Sequence, residues 1–191
     1  DLKGKTIAIA GTHTQKTVAI QALLARHGIG VNDFKFIEMP YATQVDALRN
    51  KQVEVVASLD PWTTIFRNSD FATILAYDYY ESLPEQPIGG WFGKREWVMK
   101  NAEATKRFAR SICDSADYMS ADLERARRNI ASYTGLDPTL VKEVPVHRWT
   151  CKVDVKIWQK VADMMVDGGE LQKKFDVTSW FSDAVKPYLI P

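Results

Sequence analysis

Short apolar runs alternate with amphipathic stretches from the start of the chain to about residue 80, and this alternation predicts a parallel α/β sheet. Thr6-Ile7-Ala8-Ile9-Ala10 is apolar and β-branched enough to be a buried strand. After Thr14, Val18, Ala22 and Ala25 form one stripe and Ile20, Leu23 and Leu24 an adjoining one. That width predicts a helix packed on a sheet, stopped by Gly28 and Gly30. Phe34-Lys35-Phe36-Ile37 predicts a second strand, and residues 41–50 a second helix with Val45 and Leu48 at i, i+3 spacing. Val53-Glu54-Val55-Val56-Ala57 predicts a third strand, and Pro61 opens a short helix at its first position. Phe71-Ala72-Thr73-Ile74-Leu75-Ala76-Tyr77 predicts a fourth strand.

The pattern changes at Ser82-Leu83-Pro84-Glu85-Gln86-Pro87, the best linker candidate in the chain. Ile88-Gly89-Gly90-Trp91-Phe92-Gly93 predicts one more strand, and helices prevail beyond it. One covers about 102–119, with Phe108, Ile112 and Ala116 at successive i+4 positions. A second, capped by Ser120, uses Leu123, Ala126, Ile130 and Tyr133 and ends at Gly135. A short one begins at Asp137-Pro138, and 153–167 is amphipathic through Ile157, Val161, Met164 and Met165. The expected organisation is an α/β layer over 1–86 and a mainly helical segment over 87–191. Helices with a single strand make a poor core alone, so the second zone is expected to complete something else.

Candidate chemistry gathers at the predicted strand ends. Gly11-Thr12-His13-Thr14 opens a helix directly after a buried strand, where free N–H groups and the helix dipole converge. It lacks the Gly-Lys-Ser/Thr ending of a phosphate loop and the three-glycine dinucleotide fingerprint. It is therefore either an N-cap with spare polar residues or an anion seat. Thr43 and Gln44 open the second helix, and Asp60 and Trp62 follow the third strand. In open α/β sheets ligands bind outside the carboxyl ends of the strands. Trp62 alone reads as a core tryptophan; three polar or aromatic strand-end loops together point to one shared crevice.

Composition narrows the classes. The chain has 191 residues, 46% of them hydrophobic and 26% charged, which suits a globular domain with a core. Twenty-five Lys plus Arg against 24 Asp plus Glu give a net charge of +1, and no basic stripe argues for nucleic acid. Arg125, Arg127 and Arg128 read as a solvated helix face. Two cysteines make no framework, and Cys113 reads as a buried helix position rather than half of a bridge with Cys151. No nucleophile elbow, zinc-helix motif or Ser/His/Asp set is present, and neither metal nor cofactor is called for.

Several stretches together resemble solute-binding proteins of ABC importers. Asp1-Leu2-Lys3-Gly4-Lys5-Thr6-Ile7-Ala8-Ile9, then Gly11-Thr12 and His27-Gly28-Ile29, are similar to the opening of lobe two in that family. Ala47-Leu48-Arg49-Asn50 through Val56, and Asp60-Pro61-Trp62, continue the likeness. Gly93-Lys94-Arg95-Glu96-Trp97, Asn101-Ala102-Glu103-Ala104, and Ala162-Asp163-Met164-Met165 with Gly169-Glu170-Leu171 carry it towards the end. The group resembled is the nitrate/sulfonate/taurine type, related to binders of thiamine pyrimidine precursors. Lys51-Gln52 departs from the family's usual glycine, and Asp60 stands where many relatives have Glu.

The resemblance implies a periplasmic-binding-protein type II-like α/β fold, with 1–86 as lobe two and the rest as the helical part of lobe one. The first half of lobe one would be lacking. It implies capture of a small anionic solute in an inter-lobe cleft, delivery to a membrane permease, a periplasmic or extracytoplasmic location and no catalysis. Gly11, Thr12, His13 and Thr14 would hold the anionic group, Thr43 and Gln44 would add hydrogen bonds, and Trp62 would cover an apolar part. Asp60 would meet a cationic or N–H group, or cap a loop. Two other classes share the fold: enzymes that synthesise the thiamine pyrimidine, which use a cysteine-rich cluster and a lysine, and ligand-sensing regulatory domains.

Overall fold

The computed structural model describes residues 2–190. Its sheet is built on β1 (Thr6–Ile9), flanked in parallel by β2 (Lys35–Glu38) and β3 (Val55–Ala57) in the order β2-β1-β3. The register sets Ile7 opposite both Phe36 and Val55. Period-two alternation then divides the core in two. Ile7 and Ile9 face α1 (Gln15–Arg26) and pack with Ile20, Leu24, Phe34 and Ala57. Ala8 faces the other way, with Ala47 of α2 (Tyr41–Arg49) and Val53. Burying one such isoleucine stabilises the fold by about 1.5–3 kcal/mol. The chain leaves α1 through Gly28 at φ +70°, where the Gly28 and Ile29 N–H groups donate to the Ala25 and Leu24 carbonyls.

Two short helices follow: α3 (Trp62–Arg67) and α4 (Asp78–Ser82). The expected strands at 71–77 and 88–93 are absent; both stretches are irregular. Among the described residues β3 pairs only with β1, so neither stretch has a ladder, and Leu75, Tyr77, Trp91 and Phe92 are exposed. β-branched and aromatic composition gives a strand only where a neighbour supplies the hydrogen bonds.

The helices of the later chain are α5 (Arg95–Lys100), α6 (Ala102–Ser120), α7 (Leu123–Thr134), α8 (Pro138–Glu143) and α9 (Val155–Asp167). Ser120 is the last residue of α6 and not the cap of α7; Asp122 caps α7, accepting from the Arg125 N–H at 2.9 Å. Gly135 closes α7 in the left-handed region at φ +69°. β4 (Val153–Asp154) and β5 (Leu189–Ile190) form a small parallel pair. No helix among the described residues is long and apolar enough to cross a membrane.

The chain divides into two compact units. The first runs to Glu85 and takes in Glu143–Pro145 and Asp163–Lys173. The second comprises Gln86–Lys142, Val146–Ala162 and the chain from Lys174.

Candidate functional site

Parallel pairing brings the three carboxyl strand ends of the first unit to one sheet edge, so the loops 10–14, 38–41 and 58–62 are neighbours. At the first loop Thr14 caps α1: its hydroxyl oxygen accepts from the Thr17 N–H at 3.4 Å, and the Thr17 hydroxyl donates to the Gly11 carbonyl at 3.2 Å. Gly11 lies close to the same side chain; a Cβ there would stand 3.1 Å from the Thr14 methyl. Thr14 thus spends its hydroxyl within the turn.

Thr12 meets an anion that the chain itself supplies. Its N–H and hydroxyl both donate to Glu38 Oε1, at 3.1 and 2.8 Å. These bonds, the hydroxyl's first, hold the Glu38 carboxyl below the ordinary carboxylate value, and His13 adds to the effect. The His13 ring is 84% exposed, with Nδ1 3.2 Å from the Glu170 carboxylate. Glu170 arrives through the Gly168-Gly169 turn after α9, and that turn presses on α1: a Cβ on Gly168 would come within 2.8 Å of a Val18 methyl.

At the second and third loops, Thr43 is exposed and donates to the Pro40 carbonyl at 2.8 Å. Gln44 turns inward and is fully buried; Nε2 donates to the Met39 carbonyl at 3.0 Å, while Oε1 has no hydrogen-bond partner. Ser58 Oγ is likewise buried and unpartnered. Since Val56 packs on the α2 side and Ala57 on the α1 side, alternation puts Ser58 on the same face as Gln44. Asp60 Oδ1 accepts from the Thr64 hydroxyl at 2.6 Å and the Thr64 N–H at 3.1 Å, satisfying a free N–H in the first turn of α3 from just before its Pro61 N-cap. Trp62 stacks on Tyr41 with ring centroids 5.3 Å apart and planes at 27°.

Behind this edge lies a polar group that the sequence reading missed. Lys16 is buried on α1, its Nζ 2.7 Å from Asp78 Oδ2 and 4.8 Å from the centre of the Tyr79 ring. Burial, and then the Asp78 charge, raise the pKa of both Tyr41 and Tyr79. Asp78 is 62 positions from Lys16 in sequence, so no local spacing announced the pair. Glu38 ends an edge strand, where an exposed charge is ordinary, and only the register reveals its seat on Thr12.

This edge offers hydrogen-bond donors and acceptors, an aromatic pair and carboxylates; among the described residues, no group of three or more His, Cys, Asp or Glu could hold a metal ion. The profile of the NMT1/THI5-like family matches residues 1–126. The chain belongs to that family. A Brucella abortus relative whose name assigns it only a provisional binding role is 24% identical over 95% of this chain and 60% of its own. The chain therefore spans about three fifths of the length of the curated relatives it matches.

Solved structures share the fold. The alkanesulfonate-binding protein SsuA of Xanthomonas axonopodis pv. citri, bound to MOPS, aligns with TM-score 0.72 and 21% identity over 99% of this chain and 63% of that one. The periplasmic aliphatic sulphonate-binding SsuA of Escherichia coli aligns with TM-score 0.68 and 16% identity, over 96% and 60%. A DszB mutant complexed with biphenyl-2-sulfinic acid aligns with TM-score 0.64 at 12% identity, over 98% and 71%. The α/β fold of the type II binding proteins, expected from the resemblance, is thus the fold of this NMT1/THI5-like chain.

Proposed function

We propose that the protein is the substrate-binding component of an ABC importer, capturing a small sulfonate-class solute outside the cytoplasm and handing it to a membrane permease without catalysis. The observation that carries this reading is the sheet edge of the first unit. Three strand-end loops meet there with an aromatic pair (Tyr41 and Trp62), the Glu38 carboxylate seated on Thr12, the exposed His13 ring, and the unpartnered oxygens of Gln44 and Ser58. The names of the SsuA structures support the ligand class. In this reading the first unit is lobe two, and the helical unit is the closing part of lobe one.

Glu38 refines the ligand. A carboxylate already seated on Thr12 repels a bare anion, so the solute pairs its acidic group with an N–H or ammonium group that Glu38 can accept from. An amino-sulfonate, taurine-like, meets that requirement better than nitrate; a pyrimidine with ring donors is the alternative. Thr14, Thr43 and Asp60 then act by shaping their loops, Thr12, His13 and Trp62 face the solute, and Gln44 turns inward with its Oε1 unpartnered. Titration calorimetry on the full-length native protein with taurine, an alkanesulfonate, nitrate and an aminopyrimidine tests this. Heat from an amino-sulfonate is expected, and no binding to any of the four defeats the reading. The likeness to DszB motivates an enzymatic rival, for which both cysteines lie in the other unit from these residues. Turnover of a sulfonate or sulfinate during incubation would favour it.

A further inference from the structure

Cys113 is a buried position of α6, and the second unit also holds the other cysteine of the chain, Cys151. Three observations bring them together. At the end of α6 the Ser120 hydroxyl donates to the Trp149 carbonyl at 3.1 Å, holding the chain against that helix two residues before Cys151. Pairing of β4 with β5 sets Val153 opposite Leu189, which places Tyr188 beside the chain leading from Cys151 into β4. The Cys113 thiol, buried on α6, lies near enough to Cys151 and Tyr188 to be perturbed by both.

We propose that Cys113 and Cys151 form a reversible intrachain disulfide that ties α6 to the segment leading into β4. Both are free thiols here, one buried and one half-buried. The Ser120 bond to Trp149 and the β4–β5 pairing hold the two segments side by side, which is what a bridge between their cysteines requires. The oxidant is a small-molecule or protein disulfide. The more accessible Cys151, as thiolate, attacks one of its sulfurs, and the oxidant's own bond breaks to expel a thiolate. The Cys113 sulfur then attacks the mixed disulfide at Cys151 and expels the second thiolate. Two electrons pass to the oxidant, and the two thiol protons end on its two released thiols. Burial first, and contact with Cys151 next, push the Cys113 thiol up to about 11, which suits it to the second step rather than the first.

The test takes the reduced full chain and exposes it to oxidised glutathione. The expected product is monomeric, has no free thiol, yields a peptide linking the two cysteines and reverts with dithiothreitol. Closing a loop of this length should raise the melting temperature by roughly 5–10 °C. Two thiols that stay free, a lasting glutathione adduct, or disulfide-linked dimers would overturn the proposal. Cys151→Ser leaves the buried residue in place, so folding is retained. Its melting temperature should be indifferent to the oxidant; an equal rise in this variant would overturn the bridge as well.

Discussion

The first unit closes a core around β1, whereas the second leaves many of its large side chains in water. Around β1 every inward side chain has a partner on one face or the other, and Ile9 is 1% exposed. In the helical unit the buried positions are mostly small, among them Ala116, Ala126, Ala162 and Ala184, while Trp91, Met99 and Tyr133 are exposed and Phe92 is 87% exposed. A sheet with helices on both faces encloses large side chains on all sides; helices joined by irregular segments cover one stripe each. The candidate site sits on the unit whose core is complete, so its loops are held by a rigid edge.

The sharpest way to break the comparison is to truncate a large side chain in each unit. Ile9→Ala should cost about 3 kcal/mol in urea unfolding, because a cavity opens between β1 and α1. Phe92→Ala should change stability by no more than about 0.5 kcal/mol. Equal losses at the two sites would show that the aromatic side chains of the helical unit are buried in solution.

Gly168→Ala comes next. The added methyl would enter the Val18 side chain, itself 3% exposed, and also approach the Met164 carbonyl at 3.2 Å. Overpacking of this kind costs about 1–3 kcal/mol, and it should also move Glu170 from His13. A cysteine-free background with unfolding and the His13 ring resonances as readouts would check both effects. A stable variant with an unmoved His13 would contradict the contact.

Asp60→Ala removes the acceptor for the Thr64 N–H and hydroxyl and should cost about 1 kcal/mol, the usual worth of a helix cap. If Asp60 instead served chiefly as a contact to solute, stability would be unchanged and ligand affinity alone would fall.

How much of this could be read in the chain depends on how local its causes are. β1, α1, β2, α2 and β3 follow from apolar period and glycine stops, which act over a few residues. The segment at 71–77 has strand composition but no neighbour, and pairing is a property of the whole sheet. Gln44 was legible as a polar residue at a helix start, but its inward rotation on α2 follows from how that helix lies on Ala8 and Val53. For Asp60 the chain left a solute contact and a loop cap both open; its bonds to Thr64, four residues away, are local enough to be anticipated. Glu38 on Thr12 and Asp78 on Lys16 were not, because register and long-range packing create them.

The smallest expected effect bears on the site most directly. Glu38 is held below its ordinary value of 4.5 by the Thr12 hydroxyl and N–H. A carboxyl depressed in the folded state contributes stability that is fully present above its unfolded value and is lost as pH falls through the folded one. The Thr12 amide resonance should therefore titrate with a midpoint below 4.5, and Glu38→Gln should abolish that titration while leaving neutral-pH stability nearly intact. A Thr12 amide insensitive to pH down to acid unfolding would mean that Glu38 does not occupy the turn. The donors of Thr12 would then stand open to a bare anion, and the preference for a solute carrying an N–H or ammonium group would lose its basis.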